Sequence, residues 1–127
     1  MTPESLAEQY EPRILALLER LVSPFPYRLA AAREDWADEP VWSIDAPGMC
    51  YLSFEILLDP EGDGAGFSLM AIGEGGRIIG SVTPKNYTDH LYIPWGDAPR
   101  FEERFAEFES IPNTLVYERI LDMAEVA

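Results

Sequence analysis

The sequence predicts an α+β fold: one two-layer domain with an N-terminal helix, an antiparallel meander sheet of four to six strands, and two C-terminal helices. Three observations carry that expectation. Leu6, Tyr10, Ile14, Leu17, Leu18 and Leu21 recur at spacings of three and four, which makes one apolar stripe on a helix. Cys50, Leu52, Phe54, Ile56 and Leu58 alternate with Ser53 and Glu55 at the period of a strand with one buried face. Phe101, Phe105 and Phe108 then return to helical spacing. Helix, sheet and helices in that order suit helices packed on one face of a sheet.

The elements follow in order. Thr2-Pro3-Glu4 is a helix start, with a hydroxyl cap, proline in the first turn and an acid near the positive end of the dipole. Pro12 interrupts the stripe and predicts a kink or a short first segment, with the main helix over 12–22. Ser23-Pro24-Phe25-Pro26 ends it. The stretch 27–33 is ambiguous, since its three alanines suit a helix while the preceding prolines favour extended chain. Strands are expected over 41–45, 49–58, 67–72 and 77–82. The turn clusters Asp59-Pro60-Glu61-Gly62-Asp63-Gly64 and Gly73-Glu74-Gly75-Gly76 separate the last three of these. A further strand over 90–95 would place Leu91, Ile93 and Trp95 on one face, with Pro94 suited to an edge. Asp97-Ala98-Pro99 opens the second helix. Ser110-Ile111-Pro112 breaks it, and Asn113 caps a last helix to about 125, although 114–117 is also acceptable strand sequence.

The chain has 127 residues and a formal net charge of −14, and the acidity falls in blocks. Between 34 and 74 there are ten acids and no Lys, Arg or His. Residues 1–33 balance four acids against four bases, and the segment from Phe101 onward adds seven acids against two bases. Such blocks build a surface that attracts positive partners and repels negative ones. Nucleic acid and anionic membranes are therefore expected to be excluded as partners, because both require a basic stripe. An apolar content of 47% with 12% aromatics supports a packed core rather than acidic disorder. The lone Cys50 excludes an internal disulfide, and together with the absence of an export-like leader this makes a reducing, cytoplasmic setting the default. The lone His90 argues against a histidine-based metal site.

Each candidate motif has a simpler reading beside it. Asp59, Glu61, Asp63 and Gly64 match the first half of a calcium loop, but Met70 occupies the position of the bidentate glutamate, so a solvated hairpin loop is the better description. Cys50 and His90 form the one conceivable thiol–imidazole pair, yet Cys50 shares a face with Leu52 and Phe54, and acidic surroundings disfavour a thiolate. Asp35/Asp38 and Glu102/Glu103 are close pairs of a kind expected by chance among 23 acids. The glycine runs lack the Lys-Ser/Thr of a phosphate loop. The segment Glu34-Asp35-Trp36-Ala37-Asp38-Glu39-Pro40-Val41-Trp42 sets acids around a tryptophan, which fits an aromatic anchor with charges that steer encounter. Against this, Trp36 and Trp42 are equally suited to closing the core.

These features predict a non-enzymatic domain that binds a basic protein partner, such as an immunity-type inhibitor of a basic toxin, with no cofactor and no metal. The expected contact residues are Glu34, Asp35, Trp36, Asp38, Glu39, Asp59, Glu61 and Asp63. In size, acidity and helix-first layout the chain is similar to the small acidic α+β chaperones of type III secretion. That resemblance implies an effector as cargo and a homodimer, although the helix such proteins place between sheet strands is not evident over 49–82. A nucleic-acid mimic would need a regular external array of acids, which clustering in loops weakens. A small-molecule-binding domain or small enzyme with a pocket between sheet and helices is the remaining reading.

Overall fold

The computed structural model describes residues 2–24, 30–34, 38–46, 50–73, 78–81 and 92–113, with backbone alone at 46, 50 and 78–81. Its elements are α1 (Pro3–Leu21), β1 (Ala32–Arg33), β2 (Val41–Ala46), β3 (Cys50–Leu58), β4 (Gly64–Ile72), β5 (Ile78–Ser81), β6 (Ile93–Pro94) and α2 (Ala98–Glu109). The sheet runs β1-β2-β3-β4-β5 as an antiparallel meander, and β6 pairs antiparallel with β4 at Gly64 and Ala65. The two-layer α+β architecture is thus the one the sequence predicts. Asn113, the last described residue, is again helical, and the expected course of that last helix lies outside the described residues.

Local chemistry starts both helices. The Thr2 hydroxyl accepts from the Ser5 backbone N–H at 3.1 Å, and the Ser5 hydroxyl accepts from the Thr2 N–H at 2.8 Å, a reciprocal capping box. Asp97 caps α2 by accepting from the Arg100 N–H at 3.3 Å. The short first segment, one of the two outcomes expected at Pro12, does not occur, because α1 is continuous through it. Glu8, whose carbonyl loses its partner there, and Pro12 are both solvent-exposed, so water can take the missing bond. Leu6, Ala7 and Tyr10 before the proline and Ile14, Leu17, Leu18 and Leu21 after it are all buried. Packing of both halves on one sheet holds the helix together.

Register decides the faces. The pairs Trp42↔Phe54 and Phe54↔Leu69, with Ile44↔Leu52 and Ile56↔Phe67, put these side chains in rows on the helix-covered face. Above them sit the α1 stripe and Phe101, Phe105 and Phe108 of α2, all three rings fully buried. Phe67 meets Tyr10, Phe54 and Phe105 at centroid separations of 5.5, 5.7 and 5.5 Å. Phe105 lies 4.9 Å from Tyr10. Tyr10–Phe67 and Phe67–Phe105 are edge-to-face, and such pairs contribute about 0.5–1.5 kcal/mol each beyond area burial. Trp42 is fully buried and donates its indole N–H to a Glu11 carboxylate oxygen at 2.9 Å, so it belongs to the core.

The expected strand over 67–72 begins earlier, at Gly64, because β3 continues its ladder through Leu58↔Ala65. Of the ambiguous stretch 27–33, Ala32 and Arg33 form the edge strand β1, while 27–29 lie outside the described residues. Β-structure over 90–95 is confined to Ile93–Pro94 among the described residues.

Candidate functional site

Two acidic segments remote in sequence arrive at the same end of the sheet. The Glu34 N–H donates to the Val41 carbonyl at 2.8 Å, and the Ile56 N–H donates to the Pro40 carbonyl at 3.0 Å. Val41 stands opposite Glu55. Asp38 and Glu39 sit at the bend just before Pro40, whose partner Ile56 is three residues short of Asp59. At about 3.3 Å per residue along a strand, the connection carrying Glu34, Asp38 and Glu39 is therefore only a few residue-lengths from the hairpin of 59–63. Asp35 and Trp36 belong to this connection but lie outside the described residues.

The hairpin tip is built from local bonds and then clasped. The Gly62 N–H donates to the Asp59 carbonyl at 2.8 Å, and the Asp59 N–H donates to the Gly64 carbonyl at 3.0 Å. An Asp59 carboxylate oxygen accepts from the Glu61 N–H at 3.0 Å, so part of that acid organises the turn. The turn's positive φ, +79°, belongs to Gly62, whereas the calcium-loop spacing would give the sharp glycine to Gly64. Gly64 serves a different need: a Cβ there would lie 2.1 Å from the Ile93 carbonyl oxygen. That close approach lets β6 seat on β4 and brings Trp95 over the tip. The Trp95 indole donates to the Gly62 carbonyl at 2.9 Å and its backbone N–H to the Asp63 carbonyl at 3.2 Å. Its ring stacks on Phe101 at 6.2 Å. Glu61 and Asp63 remain exposed beside this half-buried tryptophan.

Charge is sorted between the two layers. Arg13 bridges Glu102 at 2.8 Å and Glu109, and its guanidinium lies 4.8 Å above the Phe105 ring. The Tyr10 hydroxyl donates to Glu102 at 3.0 Å, and burial, followed by that carboxylate, pushes the phenol up to about 12. Arg20 donates to the carbonyls of Glu109 at 2.9 Å and Ile111 at 2.8 Å, closing the end of α2. Arg33 pairs with Glu4 and lies 5.6 Å over Trp42 on the helix-covered side. These contacts of Arg13, Arg20 and Arg33 thus lie on the helix-covered side. Among the described residues, none forms an ion pair with Asp38, Glu39, Asp59, Glu61 or Asp63.

The opposite sheet face carries Glu34, Val41, Ser43, Ser53, Glu55, Ser68 and Met70. The Ser43 hydroxyl donates to Glu34. Burial, then the neighbouring Glu39 carboxyl, raises the Glu55 carboxyl above the usual glutamate range. Glu55 and Trp95 are absent from the contact set expected from sequence. Glu55 reads there as the polar side of an alternating strand, and Trp95 as a strand-end apolar residue; neither pattern says which distant chain each would meet.

Of the sequence-expected residues, the structure places Glu34, Asp38, Glu39, Asp59, Glu61 and Asp63 around one end of the sheet. The Cys50–His90 pair lies outside the described residues, since only the Cys50 backbone is described and His90 is not. Among the described residues, no group of three or more His, Cys, Asp and Glu is arranged to hold a metal ion. No helix among them is long and apolar enough to cross a membrane. Comparisons of the chain with protein-family models, curated proteins and solved structures find no match.

Proposed function

We propose that this chain is a non-enzymatic protein-binding domain whose acidic sheet end meets a basic protein partner, in the manner of an immunity-type inhibitor that occludes a basic toxin. The observation supporting the reading is the convergence of Glu34, Asp38 and Glu39 with Asp59, Glu61 and Asp63 at one end of the sheet. The clasped hairpin presents its carboxylates on a pre-ordered tip, so little ordering entropy is lost on docking. Asp35 and Trp36, which belong to the same connection, stay in the proposed contact set. Complementary charge of this density raises association rates by orders of magnitude over a neutral pair. No described feature favours the secretion-chaperone format, because β3 and β4 are joined by a hairpin with no helix between them.

The test begins with capture from the source cell at low salt and elution by rising salt. Association of the eluted partner with the purified chain is then timed by stopped flow. The rate should fall steeply with salt, as the Debye length shrinks from about 10 Å at 0.1 M to about 3 Å at 1 M. The double substitution E61Q/D63N should lower the rate and flatten its salt dependence, while E103Q on the exposed side of α2 should leave both near wild type. A salt-independent association rate would falsify the proposal.

A further inference from the structure

Trp95 is held at three points beside the acidic hairpin. Its indole N–H donates to the Gly62 carbonyl at 2.9 Å, its backbone N–H donates to the Asp63 carbonyl at 3.2 Å, and its ring stacks on Phe101 at 6.2 Å with the planes 30° apart. Phe101 is fully buried, so the stack ties the indole to the core. Trp42 is fully buried, whereas Trp95 is only half-buried and its indole bond lies at the exposed hairpin. An aromatic ring fixed in advance loses little conformational freedom when a ligand covers it.

Its surroundings are acidic and open. Glu61 and Asp63 adjoin Gly62 in the chain and are exposed, and neither forms an ion pair among the described residues. On the other flank Pro94 and Gly96 are exposed, and a Cβ at Gly96 would meet nothing within 4 Å. Arg100, in the first turn of α2, is engaged with Asp97 at 3.9 Å.

The chain twice sets an arginine against an aromatic ring while its guanidinium meets carboxylates. Arg13 lies 4.8 Å over Phe105 and pairs with Glu102 and Glu109, and Arg33 lies 5.6 Å over Trp42 and pairs with Glu4. At Trp95 the ring and the carboxylates recur, and among the described residues no cation lies over the indole. We propose that Trp95, with Glu61 and Asp63, docks an arginine side chain of the basic partner. The guanidinium stacks on the indole face away from Phe101, and its N–H fork meets the hairpin carboxylates. This rests on the acidic-end reading above and names the residue type which that end selects. Arginine suits the site because its planar fork both stacks and bonds carboxylates in pairs, whereas a lysine ammonium is a strongly hydrated point charge.

The test adds two charge-matched probes, hexa-arginine amide and hexa-lysine amide, to the full chain at low salt and follows proton–nitrogen NMR spectra. Hexa-arginine should bind about two- to fivefold more tightly than hexa-lysine, the size of one exposed cation–π contact. It should shift the Trp95 indole signal and the Glu61 and Asp63 amides, while the buried Trp42 indole stays in place. Trp95→Leu should erase the arginine preference and keep the salt-dependent binding of both peptides, whereas E61Q/D63N should weaken both. Equal affinity of the two peptides for wild type, or an unmoved Trp95 indole, overturns the proposal even where the hairpin amides shift and the acidic-end reading stands. If neither peptide shifts the hairpin or the 38–40 connection, the acidic-end reading falls and this proposal with it. The wild-type comparison decides the matter whether or not Trp95→Leu folds.

Discussion

Gly64→Ala isolates the contact that fixes the acidic hairpin. The added methyl would lie 2.1 Å from the Ile93 oxygen, 2.8 Å from its carbonyl carbon and 3.2 Å from the Pro94 Cα, all of them backbone atoms. No side-chain rotation relieves this, so β6 must move away from β4. Overpacking of that kind costs about 1–3 kcal/mol. The two bonds from Trp95 to Gly62 and Asp63 are put at risk, at about 1 kcal/mol each. Lower chain entropy in the unfolded state returns about 0.4–1 kcal/mol. The net expectation is a loss of about 2–4 kcal/mol. Gly62→Ala is the matched control. It has nothing within 4 Å and carries only the penalty of φ +79°. That penalty is about 1–2 kcal/mol less the same entropic return. Urea unfolding followed by tryptophan fluorescence separates the two. With a slope of about 1–3 kcal/mol/M, Gly64→Ala should lower the midpoint by about 1–2 M and Gly62→Ala by well under 1 M. A Gly64→Ala variant as stable as Gly62→Ala would refute the assignment of the β4–β6 contact.

Two further outcomes follow from the core and the helix seam. Phe105→Ala removes a fully buried ring 4.9 Å from Tyr10 and 5.7 Å from Phe54 and should cost about 3–5 kcal/mol by urea unfolding. A loss below about 1 kcal/mol would mean that α2 is not seated as described. In acid, the Arg13 hydrogen bonds, followed by that from Tyr10, hold Glu102 below the usual glutamate range, and the Arg33 hydrogen bond does the same for Glu4. Their stabilisation is present above the ordinary glutamate range and is lost as pH falls through the lowered values. Both carboxylates are exposed, so solvent screening limits each to about 1 kcal/mol at most. E102Q should flatten the acid arm of a stability–pH curve slightly; an unchanged arm would show that the Arg13 pair carries no net energy.

Features that depend on neighbours along the chain were legible before the fold. The Leu6–Leu21 stripe, the Cys50–Leu58 alternation and the Phe101–Phe108 spacing each encode an element through its own period, and Thr2 and Asp97 mark helix starts through bonds within one turn. The burial of the alternating β3 face was legible for the same reason. Tertiary structure decided everything that requires two remote segments to meet. Pro12 stays inside α1 because both halves of the helix pack on one sheet, which outweighs a lost hydrogen bond. The candidate site was half legible: its acids stand out in composition, but their convergence follows from the β2–β3 register, which at this end pairs Val41 with the remote Glu55. Gly64 reads as one more loop glycine until Ile93 arrives against it, and Trp95 as a strand-end residue until the hairpin offers it two carbonyls. Periodicity is a property of consecutive residues, whereas register and close approach are properties of distance in space, and only the folded chain sets those.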